Sequence, residues 1–132
     1  MLSPGAFSRA SGGVFVAAAV LTATLGVASP ALANDGNCGP GDLCLFEGNN
    51  MSGGRWDLGS SDSDYASGDK WWGTTISIND QASSGQSKYS FWDAYLYEHS
   101  YYRGSWLRIL PGEKVYYFSD YGFNNKASSN DY

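Results

Sequence analysis

The chain carries the same pair of short strings twice, in the same order, and this duplication restricts it to folds built from two equivalent units. Phe46-Glu47-Gly48-Asn49-Asn50-Met51-Ser52-Gly53 aligns with Tyr97-Glu98-His99-Ser100-Tyr101-Tyr102-Arg103-Gly104. Each copy reads aromatic-Glu, a large apolar residue five places after the aromatic, and Gly two places further. Asn79-Asp80-Gln81-Ala82-Ser83-Ser84 aligns in turn with Asn124-Asn125-Lys126-Ala127-Ser128-Ser129. Halves of about 35–40 residues are the size of one supersecondary unit that cannot bury its apolar face alone. The first half is six residues longer between its two strings. The excess is expected in the polar stretch Ser60 to Lys70, read as a surface loop.

Helical periodicity is nearly absent, because Gly, Ser, Asn and Asp interrupt every stretch. Strand-like runs occur instead at Leu43 to Glu47, Arg55 to Leu58, Thr74 to Ile78, Tyr89 to Tyr97, Trp106 to Leu110 and Lys114 to Phe118. Several alternate: Ile76 and Ile78 are expected on one face with Ser77 on the other, and Arg108 stands between Leu107 and Ile109. Pro111-Gly112 marks a turn before Val115. Many short strands with frequent turns predict an all-β sandwich or barrel.

The first 33 residues are set apart. Arg9 precedes the apolar run Val14 to Val27, and Ala31-Leu32-Ala33 has the small-x-small pattern of a leader-peptidase site. A cleaved secretory signal is expected, with the mature chain starting at Asn34. The competing reading is an uncleaved N-terminal anchor, but the run is too short and too Ala-rich for a membrane span. No second hydrophobic segment follows, so no membrane partner is expected.

The remaining 99 residues, Asn34 to Tyr132, suit one domain with one core. Without Arg9 they hold 7 basic and 13 acidic residues, a net charge of −6. No basic stripe for phosphates is present, which argues against nucleic acid. An acidic surface suits a protein that attracts cations. Five Trp, ten Tyr and four Phe carry much of the apolar surface. Cys38 and Cys44, in CGPGDLC, are the two cysteines. In an oxidising compartment they are expected to pair. Zinc is the sharper alternative, but two thiols and a distant His99 fall short of a four-ligand set.

Two elements carry chemistry. The aromatic–Gly string reads as a strand entering a tight hairpin, with Gly53 and Gly104 supplying positive φ and Phe46 and Tyr97 folding over the turn. The second string places amide, carboxylate and hydroxyl oxygens close to the backbone. Calcium requires about 6–8 hard oxygen ligands at about 2.3–2.6 Å in a tolerant geometry. Asn-Asp and Ser-Ser clusters also serve as plain Asx-turns. Two matching copies, each downstream of a matching hairpin string, favour metal binding, with calcium preferred because the donors are oxygens.

These paired strings resemble the βγ-crystallin domain, with its aromatic-x4-aromatic-x-Gly hairpin and its calcium signature Asn/Asp-Asn/Asp-x-x-Ser/Thr-Ser. Both signatures are intact, at 79–84 and 124–129, while Met51 departs from the hairpin pattern where an aromatic is preferred. The resemblance implies two Greek keys, about 43–87 and about 88–132, packed as a sandwich with two calcium sites at one end. It implies that each loop helps build both sites. The implied ligand set is Asp80, Ser83, Asn125 and Ser128 by side chain, within signatures opened by Asn79 and Asn124. Backbone carbonyls of Gln81, Lys126, Glu47 and Glu98 complete it. The entry segment Cys38-Gly39-Pro40-Gly41-Asp42-Leu43-Cys44, followed by Leu45-Phe46-Glu47-Gly48, looks like the secreted bacterial peptidase-inhibitor family related to the Streptomyces metalloproteinase inhibitor. That family shares the fold and typically carries a second disulfide around its inhibitory loop, for which this chain has no cysteines.

The expected function is a secreted calcium-binding domain in which calcium mainly stabilises the fold, with peptidase (metalloprotease) inhibition as the activity of binding. The expected partners are calcium and an extracellular protease, and the expected state is a monomer. The insertion Ser60 to Trp72 is the first candidate for a protease-facing loop. The alternative is a glycan or cell-surface module using Trp71-Trp72, Trp92 and Tyr101-Tyr102, although a domain with few aliphatics needs its aromatics inside. An enzyme is not expected. His99 lacks an HExxH companion, no G-x-S-x-G elbow occurs, and Asp62 and Asp64 read as solvated surface.

Overall fold

The computed structural model describes residues 34–132. The secretory signal expected at 1–33 lies outside the described residues. Seven short strands form two antiparallel sheets: β1 (Leu43–Phe46), β2 (Arg55–Leu58), β3 (Ser84–Ser87), β4 (Ala94–His99), β5 (Arg103–Ile109), β6 (Lys114–Val115) and β7 (Ser129–Asp131). One sheet has the order β2-β1-β3-β6 and the other β5-β4-β7. β6 belongs to the second half of the chain but pairs with β3 of the first, Gly85 opposite Val115. The reciprocal exchange is a bridge from Asp62 of the first half to Asn130 in β7. Each half thus lends a segment to the other's sheet, and the result is a βγ-crystallin-like sandwich of two Greek keys.

The hairpin strings fold as their residues require. Gly53 and Gly104 have φ of 78° and 85°, a conformation that costs a side-chain-bearing residue. Two turn residues, separated from each glycine by one position, are also left-handed: Asn50 and Met51 at 56° and 58°, Tyr101 and Tyr102 at 61° and 62°. For Met51 and Tyr102 that conformation is uncommon, and tertiary bonds hold it. Met51 N donates to Ser84 Oγ and Tyr102 N to Ser129 Oγ, while those hydroxyls donate to Gly48 O at 2.7 Å and His99 O at 2.8 Å. Tyr97 and Tyr102 meet edge to face at 5.8 Å.

The core contains Leu43, Leu45, Trp56, Tyr65, Trp71, Ile78, Leu96, Leu107, Ile109, Phe118 and Phe123. Trp56 and Tyr65 have ring centroids 5.0 Å apart, and Phe118 meets Phe123 edge to face at 6.3 Å. Such pairs add about 0.5–1.5 kcal/mol beyond area burial.

Several expectations are corrected. Thr74 to Ile78 is not a strand: the Thr74 hydroxyl donates to Trp71 O and accepts from Ile76 N, curling the segment into a turn. Ile76 is 55% exposed while Ile78 is fully buried, so they do not share a face. The fourth strand begins only at Ala94, because Ser87 Oγ caps Tyr89 N and residues 88–93 cross between the sheets. The run from Lys114 stops at Val115, and Phe118–Tyr121 is a 3-10 turn ended by left-handed Gly122. Two strands without sequence signal, β3 (SGQS) and β7 (SND), form because their neighbours supply pairing.

Ser60 to Lys70, expected as a surface loop, is exposed only at Ser60 and 66–68. Asp62 N and O bond Asn130 O and N at 2.9 and 2.8 Å, and Tyr65 is fully buried. Asp64, half-buried, accepts from Ser100 Oγ at 2.8 Å. Tyr65 corresponds to Phe118: Tyr65 N donates to Ser128 O as Phe118 N donates to Ser83 O. Counted from these anchors, the extra residues lie at 66–78, where 13 residues separate Tyr65 from Asn79 and five separate Phe118 from Asn124.

Candidate metal centre and comparison with known proteins

The two Ser-Ser-ended strings lie side by side at one end of the sandwich and cross-bond as a pseudo-symmetric pair. Asp80 N donates to Ala127 O at 3.0 Å, and Asn125 N to Ala82 O at 2.9 Å. Asp80 and Asn125 both have φ of 57°, a conformation Asp and Asn tolerate better than other side chains. Ser83 N and Ser128 N donate to Phe46 O and Tyr97 O, tying each loop to the first residue of its hairpin string.

The side chains cross in the same sense. Ser128 Oγ donates to Asp80 Oδ1 at 2.8 Å, and Ser83 Oγ donates to Asn125 Oδ1 at 3.4 Å. Each cluster therefore joins the second residue of one string to the fifth of the other. Ser83 and Ser128 are buried, whereas Asp80 and Asn125 face solvent, so each cluster is a hydroxyl floor with an open oxygen above it. The carbonyl oxygens of Gln81, Lys126 and Glu47 accept none of the loop and turn hydrogen bonds among the described residues. Asn79 Oδ1 is buried without a donor, and its amide lies 3.4 Å from Asp80 Oδ2. Asn124 is exposed beside its cluster.

The Glu98 carboxylate acts elsewhere. Glu98 accepts from Ser105 Oγ at 2.8 Å. That hydroxyl, then the Ser105 N–H, holds its carboxyl below the ordinary range, and the Lys126 cation adds to the effect. No group of three or more His, Cys, Asp or Glu that could hold a metal occurs among the described residues. The oxygens brought together in the two clusters are one carboxylate and neutral amide and hydroxyl donors, types that suit a hard cation.

At the other end of the chain's order, Cys38 and Cys44 form a disulfide with Cα atoms 5.8 Å apart. It closes the turn into β1, where Asp42 N donates to Gly39 O and Asp42 Oδ2 accepts from Gly39 N. The family model for peptidase inhibitor family I36 matches residues 31–109, from ahead of this disulfide to the end of β5. The chain belongs to that family.

No curated protein matches the chain in sequence. Solved structures match the fold. A domain described under the evolution of the eye lens βγ-crystallin fold is similar at a TM-score of 0.63 and 19% identity, over 77% of this chain and 95% of that one. A βγ-crystallin from an archaeon has a TM-score of 0.53 and 22% identity, covering 70% and 98%. Spherulin 3a from Physarum polycephalum has a TM-score of 0.55 and 19% identity, covering 78% and 93%. At these identities the likeness concerns the fold.

The extra residues at 66–78 expose 72–76 continuously, above a buried Trp71 whose carbonyl accepts from Thr74 N and Thr74 Oγ1. The insertion expected at Ser60 to Trp72 lies one anchor later, after Tyr65. Tyr65 carries no local mark of a core residue, because it sits in a polar string. Of the adjacent tryptophans, Trp71 is interior and Trp72 is exposed beneath the Arg55 guanidinium, 4.7 Å from its ring centroid.

Proposed function

We propose that this protein is an exported peptidase inhibitor whose two crossed loops bind calcium ions that stabilise the sandwich. One observation carries the calcium reading: Asp80 with Ser128, and Asn125 with Ser83, converge reciprocally from loops that are 45 residues apart. The first cluster would take Asp80 Oδ1 and Ser128 Oγ, the second Asn125 Oδ1 and Ser83 Oγ, with carbonyls of Gln81, Lys126, Glu47 and Glu98. When bound, calcium supplies a positive charge that draws these oxygens inward and joins the two halves. With few charged ligands, affinity belongs at the weak extracellular end, on the order of 10⁻⁴ to 10⁻³ M. The cluster with Asp80 should bind first.

Family membership supports inhibition, and the 72–76 loop is the segment we assign to the protease. Its base is fixed by Trp71, so less ordering cost falls on association. Export agrees with the disulfide, which persists in oxidising compartments. Among the described residues no helix is long and apolar enough to cross a membrane.

Calcium titration by calorimetry, with melting curves at each concentration, tests the sites: heat at millimolar calcium and a rising melting temperature are expected. A panel of secreted metallo- and serine proteases with excess protein tests inhibition. Absence of inhibition across the panel overturns the inhibitor reading and leaves calcium binding standing.

A second reading has one specific observation behind it. The outer face of the β5-β4-β7 sheet carries Tyr95 and Trp106 edge to face at 5.6 Å, next to Tyr97 and Tyr102, with Trp106 58% exposed. Rings on an open sheet face suit stacking on sugars. Retention on insoluble cell-wall polysaccharide, lost in Trp106→Ala, would support it.

A further inference from the structure

The three residues after Ala33 are built into the first sheet rather than left as a tail. Asn34 N donates to Asp57 O at 2.6 Å, while Asp35 N and Gly36 N donate to Asp57 Oδ1 and Oδ2, both at 3.2 Å. Three successive amides thus wrap one residue of β2. Asn34 Nδ2 donates to Lys70 O at 2.8 Å, and Arg55 Nε donates to Gly36 O at 2.8 Å. Gly36, at φ 82°, lies under Trp72, where an added Cβ would sit 2.5 Å from the indole. Chain termini ordinarily fray unless they are tied down.

Three carboxylates gather around this wrap. Asp57 faces the carboxylates of Asp35 and Asp42, and its side chain is buried. Burial, then the charges of Asp35 and Asp42, pushes the Asp57 carboxyl up to about 6 against the pull of the Asp35 amide. Asp42 is raised by burial first and relieved by Lys88. The Arg55 cation is engaged with Gly36 O and the Trp72 ring. Asn34 N, 2.6 Å from Asp57 O, is the one amide of this wrap that a cut before Asn34 would free as an amine.

We propose that leader removal at Ala33–Asn34 turns the nitrogen of Asn34 into a structural cation, docked on Asp57 and answering the Asp35–Asp42–Asp57 cluster. This rests on the export reading above. Water hydrolyses the Ala33–Asn34 peptide bond under a leader peptidase. A carboxylate remains on Ala33, and the amine of Asn34 takes a proton to become an ammonium group. That group keeps the bond to Asp57 O and makes it charge-assisted, which strengthens it. The cation also braces the base of the 72–76 loop through Gly36 and Trp72. The ammonium is held charged in the folded state, so its pKa rises above the usual amino-terminal value of about 7.7–8.0. Its stabilisation is complete below that value and is lost as pH rises through the folded one.

The test compares protein beginning at Asn34 with a free amino terminus and the same protein Nα-acetylated. Acetylation preserves the N–H donor and removes the charge. At pH 6.5 the free form should melt several degrees higher and titrate Asp57 lower by carboxyl NMR, and the melting difference should close above pH 9. Equal melting and equal Asp57 titration overturn the proposal. Asp57→Asn should shrink the melting difference; if that variant does not fold, the NMR comparison of the unmutated pair still decides. In a bacterial host carrying the full chain, mass spectrometry should find exported protein starting at Asn34. Exported protein starting elsewhere overturns this proposal alone, whereas full-length protein retained in the cell overturns the export reading with it.

Discussion

Tyr65 donates its hydroxyl to Asn130 Oδ1 at 2.7 Å, and neither residue has exposed surface. The bond joins the first half's connection to the last strand, beside the backbone bridge of Asp62 and Asn130. Asn130 Nδ2 is used by Ser60 O at 3.1 Å, so the buried amide is satisfied on both sides. Burial foremost, then the Asp62 charge, pushes the Tyr65 phenol well up, which keeps it a donor. Tyr65→Phe keeps the ring but leaves Asn130 Oδ1 without its partner. A loss of about 1–3 kcal/mol is expected in urea unfolding, with the denaturant slope unchanged. An unaltered midpoint would mean that the amide is served by something else.

Ser83→Arg with Ser128→Arg replaces both hydroxyl floors with bulky cations. Calcium heat and the calcium-dependent rise in melting temperature should vanish together. At calcium a hundred times the dissociation constant, the wild-type protein should gain about 2.7 kcal/mol per site. Asp80→Asn should weaken the stronger site while sparing the Asn125–Ser83 cluster. Calorimetry that finds the double mutant binding like wild type would reduce the loops to simple turns.

Cys38→Ser with Cys44→Ala opens a small loop at the start of β1. The chain-entropy cost predicts a loss of about 2–3 kcal/mol, with the fold retained. Wild-type protein treated with reductant should fall to the same melting temperature as the variant. A gap between the two would point to packing lost at Cys44, which is buried.

Asp69 carries a second pH dependence. Burial first, then the charge of Asp62 and a hydrogen bond shared with it, raises its carboxyl to about 7. With the folded value above the unfolded one, its contribution is present at low pH and lost as pH rises through about 7. Stability should therefore increase between pH 8 and pH 5, the direction opposite to an ion-paired carboxylate. Asp69→Asn should flatten that rise in a pH series of melting curves. A variant as steep as wild type would place the dependence on other carboxylates.

The duplication, the twin oxygen-rich strings and the inhibitor-like entry segment were legible because each is written in local residue order. Leu43 to Phe46 and Arg55 to Leu58 were legible as strands for the same reason: apolar residues next to turn glycines. Ser84–Ser87 and Ser129–Asp131 were not, since small polar residues become strands only when neighbouring chains offer partners. Gly85 illustrates why they must be small. A Cβ there would meet Phe118 at 2.9 Å and the Cys44 carbonyl at 3.2 Å.

Two things in this molecule come from different levels. Residue order alone determined that there would be twin hairpins and twin oxygen-rich loops, because glycine at positive φ and short Asn, Asp and Ser side chains act within a few residues. Folding in three dimensions decided the exchange: β6 crosses to the first sheet, Asp62 crosses to the second, and Asp80 meets Ser128 while Asn125 meets Ser83. Neither half can bury its aromatic face alone, so the halves close on each other, and that closure sets which oxygens become neighbours.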